Sequence, residues 1–214
     1  MSTTTTEHPE DFNRKILFLA SCIALIATAM SFAIRGDIME DFESVFNLSK
    51  TNVGWIAGAA FWGFGLSIFI GGPLCDALGM GNIIRIAAVG HIAGTILTIF
   101  SQNFLMLFAA TLVVGIANGL VEAACNPLIA TIYPTQKTQK LTLFHAWFPG
   151  GIVIGGLFCY FFNEWIMPGT LGHGTPHGWK VKMALLLIPS IIYAVMILGQ
   201  KFPSTERKAA GVSF

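Results

Sequence analysis

One carboxylate stands where carboxylates are costly. Glu122 lies in Gly119-Leu120-Val121-Glu122-Ala123-Ala124-Cys125, a stretch otherwise made of small and apolar residues. On a helix at 100° per residue, Asn118, Gly119, Glu122 and Asn126 all fall within about 60° of Gly115, and Thr111 continues the stripe. A carboxylate near the middle of a lipid bilayer costs about 2.5 kcal/mol or more. A proton, a hydrogen-bond donor or a wet cavity must offset that cost. Two chemistries fit such a seam. In one, Glu122 binds a polar solute or carries a proton while Asn118 and Asn126 supply hydrogen bonds. In the other, Glu122 is a buried carboxyl group bonded to a neighbouring helix. Asn126-Pro127 adds a break in the backbone ladder, because proline has no N–H and leaves a carbonyl free.

Other groups extend the set. His145, shortly before Trp147 and Pro149, is placed to relay a proton or touch a solute. Arg35 closes the first apolar run, where a long side chain can snorkel to water; the alternative is a binding role for Arg35 or for Asp37 just beyond it. His91 reads as a packing histidine. His173 and His177 lack the further ligands a metal needs. Cys22, Cys75, Cys125 and Cys159 have neither zinc-ligand nor redox spacing and read as small packing residues. No metal and no cofactor is expected. An intramembrane enzyme would need a nucleophile and a base at one depth. The only pair on offer, Glu122 and His145, stands roughly two turns apart in depth, so no enzymatic activity is expected.

The elements that position these groups follow from composition. Of 214 residues, 54% are hydrophobic and 11% charged, against about 25% charged in a soluble domain. The net charge of +1, with no basic face, argues against nucleic acid as a partner. Six runs are long and apolar enough to span a bilayer: 16–34, 51–71, 83–100, 104–132, 141–162 and 181–199. The second is expected to end at Gly71-Gly72-Pro73. Connections are short except 36–50 and 163–180, and Trp165 and Trp179 flank the latter, as headgroup-layer anchors do. With both termini inside, Arg14, Lys15, Arg85, Lys137, Lys140, Lys201, Arg207 and Lys208 face the cytoplasm, and Arg35, Lys50, Lys180 and Lys182 face outward. Eight against four favours both termini in the cytoplasm. Residues 1–15 then form a cytoplasmic tail, 16–199 a six-helix bundle and 200–214 the start of a central cytoplasmic loop. Gly54, Gly58, Gly65 and Gly72 share one face of the second span, and Gly151 and Gly155 share one of the fifth. Small residues let membrane helices approach closely, so both faces are expected to pack, and both could serve as sliding surfaces.

Three stretches resemble the N-terminal half of a major facilitator superfamily transporter, most like the fucose-permease and sugar-transporter branch. Gly72-Pro73-Leu74-Cys75-Asp76-Ala77-Leu78-Gly79 looks like the superfamily's signature loop, with Gly72, Asp76 and Gly79 in place. The basic residues expected around the second glycine are absent; Ala77, Met80 and Gly81 stand there. The run from Gly115 to Asn126-Pro127 is similar to that branch's span 4 motif, and Leu141 to Gly151 looks like the start of its span 5. Phe202-Pro203-Ser204-Thr205-Glu206-Arg207 looks like the entry to the central loop. The resemblance implies an all-α membrane bundle of six helices, half of a twelve-helix fold, built as two inverted three-helix repeats. It implies secondary transport of a small polar solute, with a sugar as the candidate and H⁺ as the candidate coupling ion, by alternating access. Glu122 matches the branch's intramembrane glutamate, and Asp76 would latch the cytoplasmic side. The branch's acidic residue in span 1 has no match within 16–34. The implied partners are the lipid of a plasma or inner membrane and a second six-helix half, in the same chain or another. A non-transporting sensor or assembly subunit on the same fold is the second class.

Overall fold

Helices begin where a short polar side chain can cap them. Asn13, Ser49 and Asn103 each accept a hydrogen bond from the backbone N–H three residues on, at 3.1, 3.2 and 2.9 Å. Such a bond satisfies one of the orphan donors at a helix start. The computed structural model describes residues 12–166 and 177–211. The capped helices are α1 (Arg14–Val45), α2 (Lys50–Leu78) and α4 (Phe104–Ile132); α3 (Met80–Ile99) follows α2 after Gly79 alone. That one-residue reversal needs φ +85°, which glycine adopts without a Cβ clash. The fifth span divides into α5 (Lys137–His145) and α6 (Trp147–Phe161), with a π-helical turn at Phe162–Ile166. The sixth divides into α7 (Gly178–Leu185) and α8 (Leu187–Ile197), and a short α9 (Glu206–Ala209) follows. Pro149 and Pro189 stand three residues beyond the two joints, where their missing N–H groups break the ladder. Among the described residues, six helical segments are long and apolar enough to cross a membrane.

The principal contacts pair α2 with α4, α3 with α4, α1 with α6, and α1 with α8. In span numbers these are 2–4, 3–4, 1–5 and 1–6. Exchanging 1 with 4, 2 with 5 and 3 with 6 maps this set onto itself, as two inverted repeats require. Glycine makes the closest approaches. A Cβ on Gly119 would lie 2.3 Å from the Phe64 carbonyl of α2, and one on Gly115 2.5 Å from that of Ala60. Across the symmetry-equivalent pair, a Cβ on Gly151 of α6 would meet the Ile26 carbonyl of α1 at 2.9 Å.

Several expectations change. The first helix continues through the expected loop 36–50 as far as Val45. Ile34, Ile38 and Phe42 recur every fourth residue on its buried side, so the core stripe persists although acids occupy other faces. The second helix does not stop at Gly71-Gly72-Pro73 but runs to Leu78. Membrane helices tolerate an internal proline because neighbouring helices hold the chain in place. The expected packing face of α2 is also not the one used. Gly54, Gly65 and Gly72 meet nothing within 4 Å, whereas Gly63 and Gly71 face α4. In the fifth span, Gly151 and Gly155 do pack, against α1. Trp165 is exposed, but Trp179 is fully buried, edge-on to Phe42 at 5.3 Å. It is a core residue and not a headgroup anchor.

Candidate functional site

The polar seam of α4 does not line one cavity. Its members face different neighbours. Near the far end of the bundle, where α1 finishes, Thr111 accepts a 2.6 Å hydrogen bond from Nη1 of Arg35. Arg35 is only 4% exposed and does not snorkel. The cause is the length of α1: ten further residues, about 15 Å of helix, lie between Arg35 and Val45.

Asn118, halfway along α4, is buried at the centre of a hydrogen-bond chain across four spans. Its Nδ2 donates to Ser31 Oγ of α1 at 2.9 Å, and Ser31 donates to the Thr28 carbonyl at 2.7 Å. Its Oδ1 lies 2.8 Å from Nε2 of His91 on α3, whose Nδ1 lies 2.9 Å from the Tyr193 hydroxyl of α8. One neutral tautomer satisfies both ring contacts, with Nε2–H donating to Asn118 and Nδ1 accepting from Tyr193. Both ends of the Asn118 amide are therefore occupied by protein. Sequence reasoning set His91 aside as packing; its position in this chain depends on pairings that spacing does not reveal.

One and two turns nearer the other end, Glu122 and Asn126 form a half-buried pair. Asn126 Nδ2 donates to the Glu122 carbonyl at 2.9 Å and to its carboxylate Oε2 at 3.1 Å. The Asn126 Oδ1 is buried and lacks a hydrogen-bond partner among the described residues. Pro127 frees the Ala123 carbonyl, as its missing N–H requires, and the Cys75 thiol of α2 donates to that oxygen at 3.6 Å. His145 is exposed, its ring beside Phe144 at 4.9 Å, and it is not joined to Glu122 by any hydrogen bond among the described residues.

Charged groups gather at both ends. At the far end, Lys182 is fully buried, 2.5 Å from Asp37 and 3.9 Å from Asp41. Asn163 also donates to Asp37, at 3.3 Å. The part of α1 beyond the expected span 16–34 thus carries four acids, Asp37, Glu40, Asp41 and Glu43, of which Asp37 and Asp41, one turn apart, face Lys182. At the near end, where α1 begins and α8 finishes, Gly72 and Asp76 belong to the last two turns of α2, and only Gly79 lies in a connection. Asp76 pairs with Arg207 at 3.8 Å, and Lys137 pairs with Glu206. Arg85 donates to the Gln200 carbonyl at 3.1 Å and lies over the Phe202 ring. The stretch after α8 is so tied to α2, α3 and α5. His177 is exposed, His173 lies outside the described residues, and no group of three potential metal ligands occurs among the described residues.

Six apolar helices in an inverted-repeat contact pattern, joined by internal polar networks, define an all-α membrane bundle. The sequence model of the Major Facilitator Superfamily matches residues 17–213, and the chain belongs to that family. It is 25% identical over 186 residues to the cis,cis-muconate transport protein of Acinetobacter baylyi, covering 85% of this chain and 42% of that protein. It is likewise 25% identical over 158 residues to a D-xylose transporter of Levilactobacillus brevis, covering 73% and 32%. A D-xylose-proton symporter of known structure superposes with a TM-score of 0.77 at 16% identity, over 92% of this chain and 50% of that one. The chain spans less than half the length of the curated relatives it matches.

Proposed function

We propose that this chain is one half of a secondary active transporter that moves a small polar solute across a membrane by alternating access. The observation that carries the reading is the Glu122–Asn126 pair, a half-buried carboxylate and amide with spare hydrogen-bonding capacity inside an apolar spanning helix. Intramembrane carboxylates of this kind mark solute or proton pathways. Relatives named for xylose and muconate support a small, oxygen-rich solute, a sugar among them, and the fold likeness to a xylose-proton symporter supports H⁺ as the coupling ion. A second six-helix half, from the same polypeptide or another, completes the pathway. The excess of basic residues at the near end favours both termini in the cytoplasm, in a plasma or inner membrane. Glu122 binds solute or carries the proton, Asn126 and the exposed His145 complete the site, and Asp76 latches the cytoplasmic side through Arg207.

The test is uptake of labelled solute by proteoliposomes holding the complete transporter. Glu122→Gln keeps the shape and hydrogen bonding of the side chain but cannot take up a proton. Proton-driven accumulation is expected to collapse while downhill exchange persists. Accumulation equal to that of the parent protein removes Glu122 from the mechanism.

A further inference from the structure

Arg35 is a cation whose charge no described residue balances by contact. Its Nη1 donates to the neutral hydroxyl of Thr111, and its Nη2 is buried with no hydrogen-bond partner. No Asp or Glu among the described residues lies within ion-pair distance of it. The carboxylates closest in sequence, Asp37, Glu40 and Asp41, stand roughly 160°, 140° and 120° away around α1, and Asp37 and Asp41 face Lys182. Arginine keeps its charge at neutral pH. A buried charge left without a counter-charge is strongly unfavourable, and such groups are normally paired.

Beside Arg35, between α1 and α2, lies a cavity of about 110 Å³. Phe32, Met39, Ala57, Ala60 and Phe61 form its walls together with Arg35, whose charge lies beside it. The Phe32 and Phe61 ring centroids are 5.4 Å apart. Apolar walls with one fixed polar group are the usual make-up of a small-molecule site. We infer that the transported solute bears a carboxylate, which balances the charge of Arg35 while Phe32, Met39 and Phe61 hold the carbon skeleton. A planar carboxylate matches the guanidinium fork and brings one negative charge to one positive charge. A neutral sugar hydroxyl can accept a hydrogen bond but leaves the charge unbalanced. A phosphate dianion brings more charge and more acceptors than this cavity can satisfy. The assignment as cargo rests on the transport reading above; the ligand chemistry rests on Arg35 alone.

The experiment uses the complete transporter in detergent and in proteoliposomes. Acetate, succinate, benzoate and gluconate are each compared with the corresponding neutral amide, by thermal shift and equilibrium binding. At least one carboxylate is expected to stabilise the protein where its amide does not. Arg35→Gln is expected to weaken that binding about ten-fold or more, and Arg35→Lys to retain part of it, because charge-assisted bonds depend on charge and fork geometry together. Unliganded Arg35→Gln is expected to melt no lower than the parent, since it removes an unbalanced buried charge. Stabilisation by no carboxylate beyond its amide overturns the inference. So does undiminished carboxylate binding by Arg35→Gln, including the case where that variant melts lower and the guanidinium is merely a tether to Thr111. Flux separates the two readings. Carboxylate binding without uptake retains the anion site and removes the transport function. Uptake of neutral sugars with no carboxylate binding does the reverse.

Discussion

The two ends of the bundle hold their charges in opposite ways. At the far end, the Lys182, Asp37 and Asp41 side chains are 0%, 18% and 1% exposed. At the near end, Lys137 and Glu206 are 40% and 61% exposed, and Arg207 is 43% exposed beside Asp76. Removing one member of a buried cluster strands the others away from water, whereas an exposed pair exchanges its partner for solvent at little cost. The far-end cluster therefore fastens α1 to α7 rigidly. The near-end pairs tie down the stretch after α8 with contacts that can break and re-form.

Breaking the far-end cluster should have the largest effect. Lys182→Met takes a buried cation away from the buried Asp41 and the part-buried Asp37 and should cost about 3–5 kcal/mol, read as a fall in thermal unfolding temperature in detergent. Adding Asp37→Asn should recover part of the loss. An unchanged melting temperature in the single variant means that the cluster is hydrated and that the two ends do not differ as described. The buried neutral chain between the ends should rank second. His91→Leu deprives Asn118 and Tyr193 of their partner and should cost about 1–3 kcal/mol per orphaned group. His91→Gln, which keeps a donor and an acceptor, should recover some of it. The near end should rank last. Arg207→Ala should cost about 0–1 kcal/mol, and the difference should shrink further in high salt. A loss as large as that of Lys182→Met would erase the contrast.

The near end also explains why part of the candidate site was legible and part was not. Asp76 was singled out from a motif, and it does carry an ion pair, but its partner Arg207 lies 131 positions away. Spacing within a motif cannot disclose such a partner. The residues of the α4 seam share one helical stripe by spacing, yet they divide among α1, α2 and α3 once neighbours surround them. The glycines of α2 teach the same lesson. Periodicity identified a small-residue face, but Gly63 and Gly71, on another face, are the ones that meet α4. Arg35 shows the largest reversal. At the edge of an apolar run it looked free to reach water, and the continuation of α1 put it inside.

The sequence by itself determined six crossings, their order and the bounds of α4, which coincide with the expected 104–132. Hydropathy is a sum over neighbouring residues, so a span can be read wherever its apolar run is unbroken and capped. It also singled out Glu122, because one carboxylate in such a run is conspicuous whatever surrounds it. Only the tertiary structure decided where α1 and α2 end, since charged or proline-containing turns stay helical when another span compensates them. Only packing brought Lys182 to Asp37, His91 to Asn118 and Arg35 to Thr111. Each of those contacts joins residues from different spans, and no local sum contains that information.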